Sequence, residues 1–159
     1  MIIKSYELNK IDLNKNTLFL LYGQNEGLKN EIIKKCFIDK FKGKIYRFDE
    51  KEIIDNNSDF FDGILSRSFF EEKKLFIVSR VTDKLNNIIE EILEKEIKDV
   101  VIVLNASILD KKSKLRKFFE KNKDIVCIPI YEDNAQTLST IARDFFRINK
   151  ISISQETIN

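Results

Sequence analysis

At 159 residues, with 43% hydrophobic and 34% charged side chains, the chain can bury one substantial core and reads most simply as a single domain. A net charge of only +2, with lysines and glutamates interspersed, excludes the strongly basic footprint of a dedicated DNA-binding domain. The complete absence of histidine removes the commonest general base, the commonest metal ligand and every Ser/His or Cys/His nucleophile.

One proline and four glycines are too few for a turn-rich all-β fold or a disordered linker. Cys36 and Cys127 form no CxxC and sit among apolar neighbours, so they read as buried free thiols. No apolar run approaches the roughly 20 residues that span a bilayer, and the N-terminus has no signal-peptide core. The expectation is a soluble, cytoplasmic protein with no membrane partner.

Residues 1–16 are too irregular to assign. Thr17 to Tyr22 is then a continuous apolar run ending at Gly23, the pattern of a strand buried on both faces as in a parallel sheet. Asn25 is a candidate helix cap, with Leu28, Ile32, Ile33, Cys36, Phe37 and Phe41 following at helical spacing. Lys44 to Phe48 is a second short strand and Asp49 to Asn57 a polar stretch. Ser58 would cap a helix carrying Phe60, Phe61, Ile64 and Leu65.

Lys74 to Ser79 is the third strand. Asp83 is expected to cap a helix whose stripe is Leu85, Ile88, Ile89, Ile92 and Leu93. Val100 to Leu104 is the fourth strand, and Asp110 is expected to cap a basic helix over 111–122. Asp124 to Ile130 is the fifth strand, with Pro129 marking its end. A last helix carries Ala135, Leu138, Ile141, Ala142, Phe145 and Phe146. Strands alternating with helices predict an α/β fold: a five-stranded, mostly parallel sheet flanked by helices.

The strand–turn–helix over 18–33 occupies the place of a phosphate-binding loop, yet its residues do not suit one. Such a loop needs glycine, four residues, then Gly-Lys-Ser/Thr, so that amides and lysine cradle phosphates and the hydroxyl holds Mg²⁺. Here the second glycine, Gly27, comes after three residues and is followed by Leu28; Lys29 is one place late, and Asn30 replaces the hydroxyl. The third strand ends Ser79-Arg80, without an acidic pair to hold Mg²⁺ and orient water. Asn105 stands where related ATPases place a phosphate-sensing polar residue, although a turn-forming asparagine is the simpler reading. The pattern is a degenerate P-loop ATPase core without the chemistry.

Two further stretches carry candidate function. In Ser66-Arg67-Ser68-Phe69-Phe70-Glu71-Glu72-Lys73-Lys74, two bulky aromatics close a helical pattern. Helical neighbours point about 100° apart, so both rings cannot easily face one core. Phe69 extends the stripe Phe61, Leu65, whereas Phe70 falls towards its edge. Residue pattern alone assigns both rings to the core, with Phe70 the awkward one. In the basic helix, Leu115, Phe118 and Phe119 make the buried face. Lys111, Lys112, Lys114, Arg116 and Lys117 either contact a phosphate backbone or simply solvate the surface. No carboxylate pair, metal cluster or nucleophile constellation stands out.

Taken together, Phe19-Leu20-Leu21-Tyr22-Gly23, Ser68-Phe69-Phe70-Glu71-Glu72-Lys73-Lys74-Leu75, the stretch from Leu109 to Lys121 and Tyr131-Glu132-Asp133 resemble the bacterial DNA polymerase III delta subunit, part of the loader of the replicative sliding clamp. The resemblance implies an AAA+/RecA-like core that needs no cofactor and neither binds nor hydrolyses ATP, so no catalysis of its own is expected within the DNA polymerase III holoenzyme. It implies that Phe69 and Phe70, preceded by Ser68, insert into a pocket on the clamp (the beta subunit) and help to open the ring. The other implied partners are the gamma/tau and delta prime subunits and primed DNA. Members of that family are about twice this long. Residues 1–146 would then be the ATPase-like domain and 147–159 the truncated start of a helical lid. Ser154-Gln155-Glu156-Thr157 has the look of a further capped helix start. The alternatives are a divergent nucleotide-binding ATPase, which ATP binding would reveal, and a DNA-binding accessory module, which steeply salt-dependent binding to primed DNA would reveal.

Overall fold

The computed structural model describes residues 1–66, 73–95, 97–152 and 154. Its centre is a five-stranded sheet built from β1 (Leu18–Gly23), β2 (Lys44–Asp49), β3 (Lys74–Val81), β4 (Val100–Ala106) and β5 (Val126–Ile130). The spatial order is β2-β3-β4-β1-β5, and every paired neighbour runs parallel. The expected fold is therefore the observed one. The apolar runs explain it, because β1, β3, β4 and β5 are buried along almost their whole length. Such strands must be covered on both faces, and only crossover connections through helices achieve that between parallel strands.

The covering helices divide between the two faces. One face carries Leu18, Leu20, Phe76, Val78, Ile102 and Leu104, packed against α2 (Glu50–Asp55), α3 (Asn57–Leu65), α4 (Asn86–Glu94) and α5 (Lys114–Lys121). The opposite face carries Phe19, Leu21, Ile77 and Val103, packed against α1 (Glu26–Ile32) and the π-helical turn Ile33–Ile38 that continues it. Phe60 anchors α3 by meeting Phe48 and Phe76 edge-on, with ring centroids 5.3 and 5.8 Å apart.

Several local expectations change. The polar stretch after β2 is not a loop but α2, started by a capping box in which Asp49 accepts from the Lys51 amide and Glu52 from the Asp49 amide. The cap position of α3 is Asn56, and Ser58 donates to the Asn56 side chain instead of capping. The buried stripe of α3 is Phe60 and Ile64; Leu65 is 46% exposed. β5 keeps Pro129 inside the strand, opposite Tyr22, which an edge position permits. Both cysteines are buried and free. Burial pushes the Cys127 thiol up to about 12, the signature of an inert core thiol.

The last helix, α6 (Ala135–Ile148), contributes no buried residue. Leu138, Ile141 and Phe145 of the expected stripe face outward, 54%, 55% and 57% exposed, and Ile148, which lay outside that stripe, joins them at 75%. The spacing of three, four and three gives one continuous apolar seam with no covering element among the described residues.

Candidate functional site

In an open α/β sheet, ligands bind outside the carboxyl ends of the strands, where neighbouring strands send their connections to opposite faces. Here that point lies between β1 and β4. The helix after β1 covers one face of the sheet and the helix after β4 covers the other. Gly23 to Asn30 and Asn105 all lie at this switch point, at the carboxyl ends of β1 and β4.

Gly23 closes β1 with φ +135°, and its amide donates to the Ser107 carbonyl at 2.9 Å. A Cβ here would lie 1.7 Å from the Ile130 carbonyl oxygen, so only glycine allows β1 and β5 to approach this closely. Asn25 caps α1 as expected: its Oδ1 accepts from the Leu28 amide at 3.0 Å, while its Nδ2 donates to Asp133 at 2.7 Å.

Lys29 is the surprise. Its side chain is completely buried, and Nζ donates to Glu26 Oε1 and to the Ala106 carbonyl, both at 2.6 Å. A phosphate-binding lysine must present its donors to a ligand, whereas these are aimed at the end of β4. Asn30 is exposed. A Cβ on Gly27 would meet only Asn25 Oδ1, at 3.7 Å, so no tight backbone cradle exists there. A nucleotide with Mg²⁺ does not fit these residues.

The other strand ends agree. At the end of β3, Arg80 adopts φ +57° and extends an exposed guanidinium to Asp49 Oδ2 at 2.6 Å. The Lys51 amide and the Arg80 guanidinium hold the Asp49 carboxyl below its ordinary range, so this acid is committed to capping α2. Asn105 is not in a turn; it lies within β4 opposite Leu21, and its Oδ1 is buried without a hydrogen-bond partner. Among the described residues no group of side chains could hold a metal ion.

The segment predicted to carry function, Ser68, Phe69 and Phe70, lies outside the described residues. Its flanks are described. α3 ends at Leu65, and the buried Lys74 donates to the carbonyls of Gly63 and Ser66 and to the Ser66 hydroxyl. A lysine binding the last carbonyls of a helix satisfies acceptors that the helix leaves free. Leu65 belongs to the stripe that tied Phe69 to the core, and its exposure removes that argument for burying Phe69.

The basic stretch divides in two. α5 starts three residues later than expected, because Ser113 is its cap, accepting from the Arg116 amide at 3.1 Å. Asp110 instead closes the preceding turn through the amides of Lys112 and Ser113. Lys111, Lys112, Lys114 and Lys117 are exposed. Arg116 is engaged within the fold: Nε donates to Glu120 at 2.8 Å, a terminal nitrogen donates to the Leu109 carbonyl at 3.0 Å, and the guanidinium stacks 4.9 Å from the Tyr22 ring centroid. Burial pushes the Tyr22 phenol upward, keeping it a neutral donor to Glu120.

Asp83, expected to cap the helix that follows it, caps α5 from a distance. Its carboxylate accepts from the Ser113 hydroxyl at 2.5 Å and from the amides of Lys114 and Leu115, both at 3.1 Å. The nearby Thr82 caps the 3-10 turn Asp83–Leu85. Burial alone would raise the Asp83 pKa, but the Ser113 hydroxyl and the Leu115 and Lys114 amides together lower it. A carboxyl whose folded pKa is depressed contributes stability above its unfolded value, about 4, and loses it as pH falls through the folded value. Asp83→Asn is therefore expected to lower Tm by several degrees at neutral pH. The gap from the parent should shrink below about pH 4, as thermal melts across pH would record.

The sheet order, the helices on both faces and the switch point at β1 and β4 define an open, parallel, doubly wound α/β core. No protein-family model matches the chain, and no curated protein matches it. Among solved structures it is similar to the Bacillus subtilis DNA clamp loader delta protein, with a TM-score of 0.66 and 19% identity, over 96% of this chain and 49% of that one. It is also similar to domain III of the Thermotoga maritima replication initiation protein DnaA, with a TM-score of 0.45 and 15% identity, over 98% of this chain and 71% of that one. The chain thus spans about half the length of the clamp loader protein. Among the described residues no helix is long and apolar enough to cross a membrane.

Proposed function

We propose that this chain is the ATPase-like part of a clamp-loader delta subunit, which binds the replicative sliding clamp and helps to open it without hydrolysing ATP. The observation that carries this reading is the fold shared with a clamp loader delta protein along 96% of the chain. The β1–α1 turn supports it, because its lysine is bound inward and does not present its donors to a phosphate.

The clamp contact is assigned to Phe69 and Phe70, with Ser68 preceding them. Fixed flanks at Ser66 and Lys74 suit a short segment that presents two rings, because pinned ends reduce the ordering cost of docking. A phenyl ring buried at an interface removes roughly 150–250 Å² from water, and the best anchors are each worth ~2 kcal/mol or more. Exposed Lys111, Lys112, Lys114 and Lys117 are the candidate contacts to primed DNA within the loader, with Arg116 positioning α5 from inside.

The remaining partners in this reading are the gamma/tau and delta prime subunits, in the cytoplasm. Residues 1–146 form the ATPase-like domain and 147–159 begin a helical lid. α6 runs across that junction, and its apolar seam suits packing against further helices. The test is retention of the chain on an immobilised sliding clamp from the same source. Retention that depends on Phe69 and Phe70 supports the assignment, and no retention removes it.

A further inference from the structure

A fully buried lysine at the switch point of the sheet requires a reason. Burying an amino group that lacks partners is costly, so the residue persists only where its donors are used. Lys29 uses two, on Glu26 in its own helix and on the Ala106 carbonyl at the end of β4. The same turn makes two further ties, one to the same end of β4 and one to the segment after β5. The Gly23 amide bonds the Ser107 carbonyl just beyond β4, and Asn25 Nδ2 bonds Asp133, two residues before α6. Four parts of the chain therefore meet at the β1–α1 turn: β1, α1, the end of β4 and the linker from β5 to α6.

We propose that Lys29 is a positioning residue, an internal latch that does at this switch point what a bound ligand does in other open α/β sheets. It fixes α1 to the end of β4, and the cap of that same helix, Asn25, carries the bond to Asp133 that ties down the start of α6. The turn is thereby held in place by the chain's own side chains. The direction of α6 and its apolar seam then follows from the chain's own side chains.

Hydrogen exchange on the whole chain tests this with Lys29→Met, which keeps the apolar stem and removes the donors. The latch predicts exchange about tenfold or more faster in α1 and in the first turn of α6, with the centres of β3 and β4 unchanged, because local opening is separable from global unfolding. Asn25→Ala should speed exchange in the first turn of α6 and at the start of α1. A uniform acceleration that includes the sheet centre would make Lys29 an ordinary stabilising residue and overturn the proposal. Unchanged protection of α1 would overturn it equally. If Lys29→Met fails to fold, Glu26→Gln weakens the same link from the exposed side of the pair, where the carboxylate side chain is 56% accessible. It should give a smaller acceleration in the same two regions, and the same two contrary results apply.

Discussion

Replacing Phe69 and Phe70 together by alanine is expected to abolish binding to the sliding clamp while leaving Tm within about 2 °C of the parent. Two anchors of ~2 kcal/mol each correspond to about 30-fold apiece and about a thousandfold together, if they act independently. The stability half of the expectation comes from the described part of α3. The core stripe there is Phe60 and Ile64, and the stripe leading towards Phe69 ends in the exposed Leu65. Large-to-small changes in a core cost about 3–5 kcal/mol for phenylalanine, so buried rings would announce themselves as a large fall in Tm. Binding lost together with stability would return the rings to the core. Binding kept would place the clamp contact elsewhere.

The second large effect concerns the β1–α1 turn. Gly23→Ala should destabilise the fold by about 4 kcal/mol, a large share of the roughly 5–15 kcal/mol typical of a domain. The added methyl would lie 1.7 Å from the Ile130 carbonyl oxygen and 2.7 Å from its carbon. No side-chain rotation relieves a clash between backbones, so β1 and β5 must separate where Gly23 pairs with Ile130. The φ of +135° adds strain for any residue with a Cβ. Urea unfolding would show a lower midpoint with the slope preserved. Gly27→Ala is the control. Its methyl meets only Asn25 Oδ1, at 3.7 Å, and the change from glycine in α1 should be neutral or stabilising by up to about 1 kcal/mol. A loss below about 1 kcal/mol for Gly23→Ala would contradict so close an approach of the two strands.

Most of the sheet was legible because four of its strands, β1, β3, β4 and β5, are buried, and a continuous apolar run such as Phe19-Leu20-Leu21, too short for a helix and closed by a glycine, fits a central parallel strand. The departure from the phosphate-loop pattern was legible too, since that motif demands residues at fixed offsets. What escaped the sequence was whatever depends on distant partners. Asp83 looks like a local cap, but its acceptors are taken by Ser113, Lys114 and Leu115, some thirty positions on. Lys29 looks like a surface lysine one place out of register, and only the fold brings Ala106 within its reach.

Elsewhere a local signal exists but is weak or ambiguous. α2 announces itself by Asp49 and Glu52 at capping-box spacing, masked by a polar sequence with Ile53 as its one buried apolar residue. Adjacent Phe60 and Phe61 left the core face of α3 undecided between two stripes. α6 shows the opposite problem: its apolar pattern is correct, but pattern alone does not say what it packs against.

In the proposed role this chain favours an opened clamp through binding alone. A subunit without hydrolysis can shift a ring towards its open form only by binding that form more tightly. The most direct measurement is calorimetric titration of the chain, without nucleotide, into the closed clamp ring and into a clamp variant held monomeric by substitutions at its ring interface. Binding to both is expected, tighter for the monomer by about tenfold or more. Equal affinity for the two forms, or binding that emerges only when ATP is added to the chain, would contradict that role.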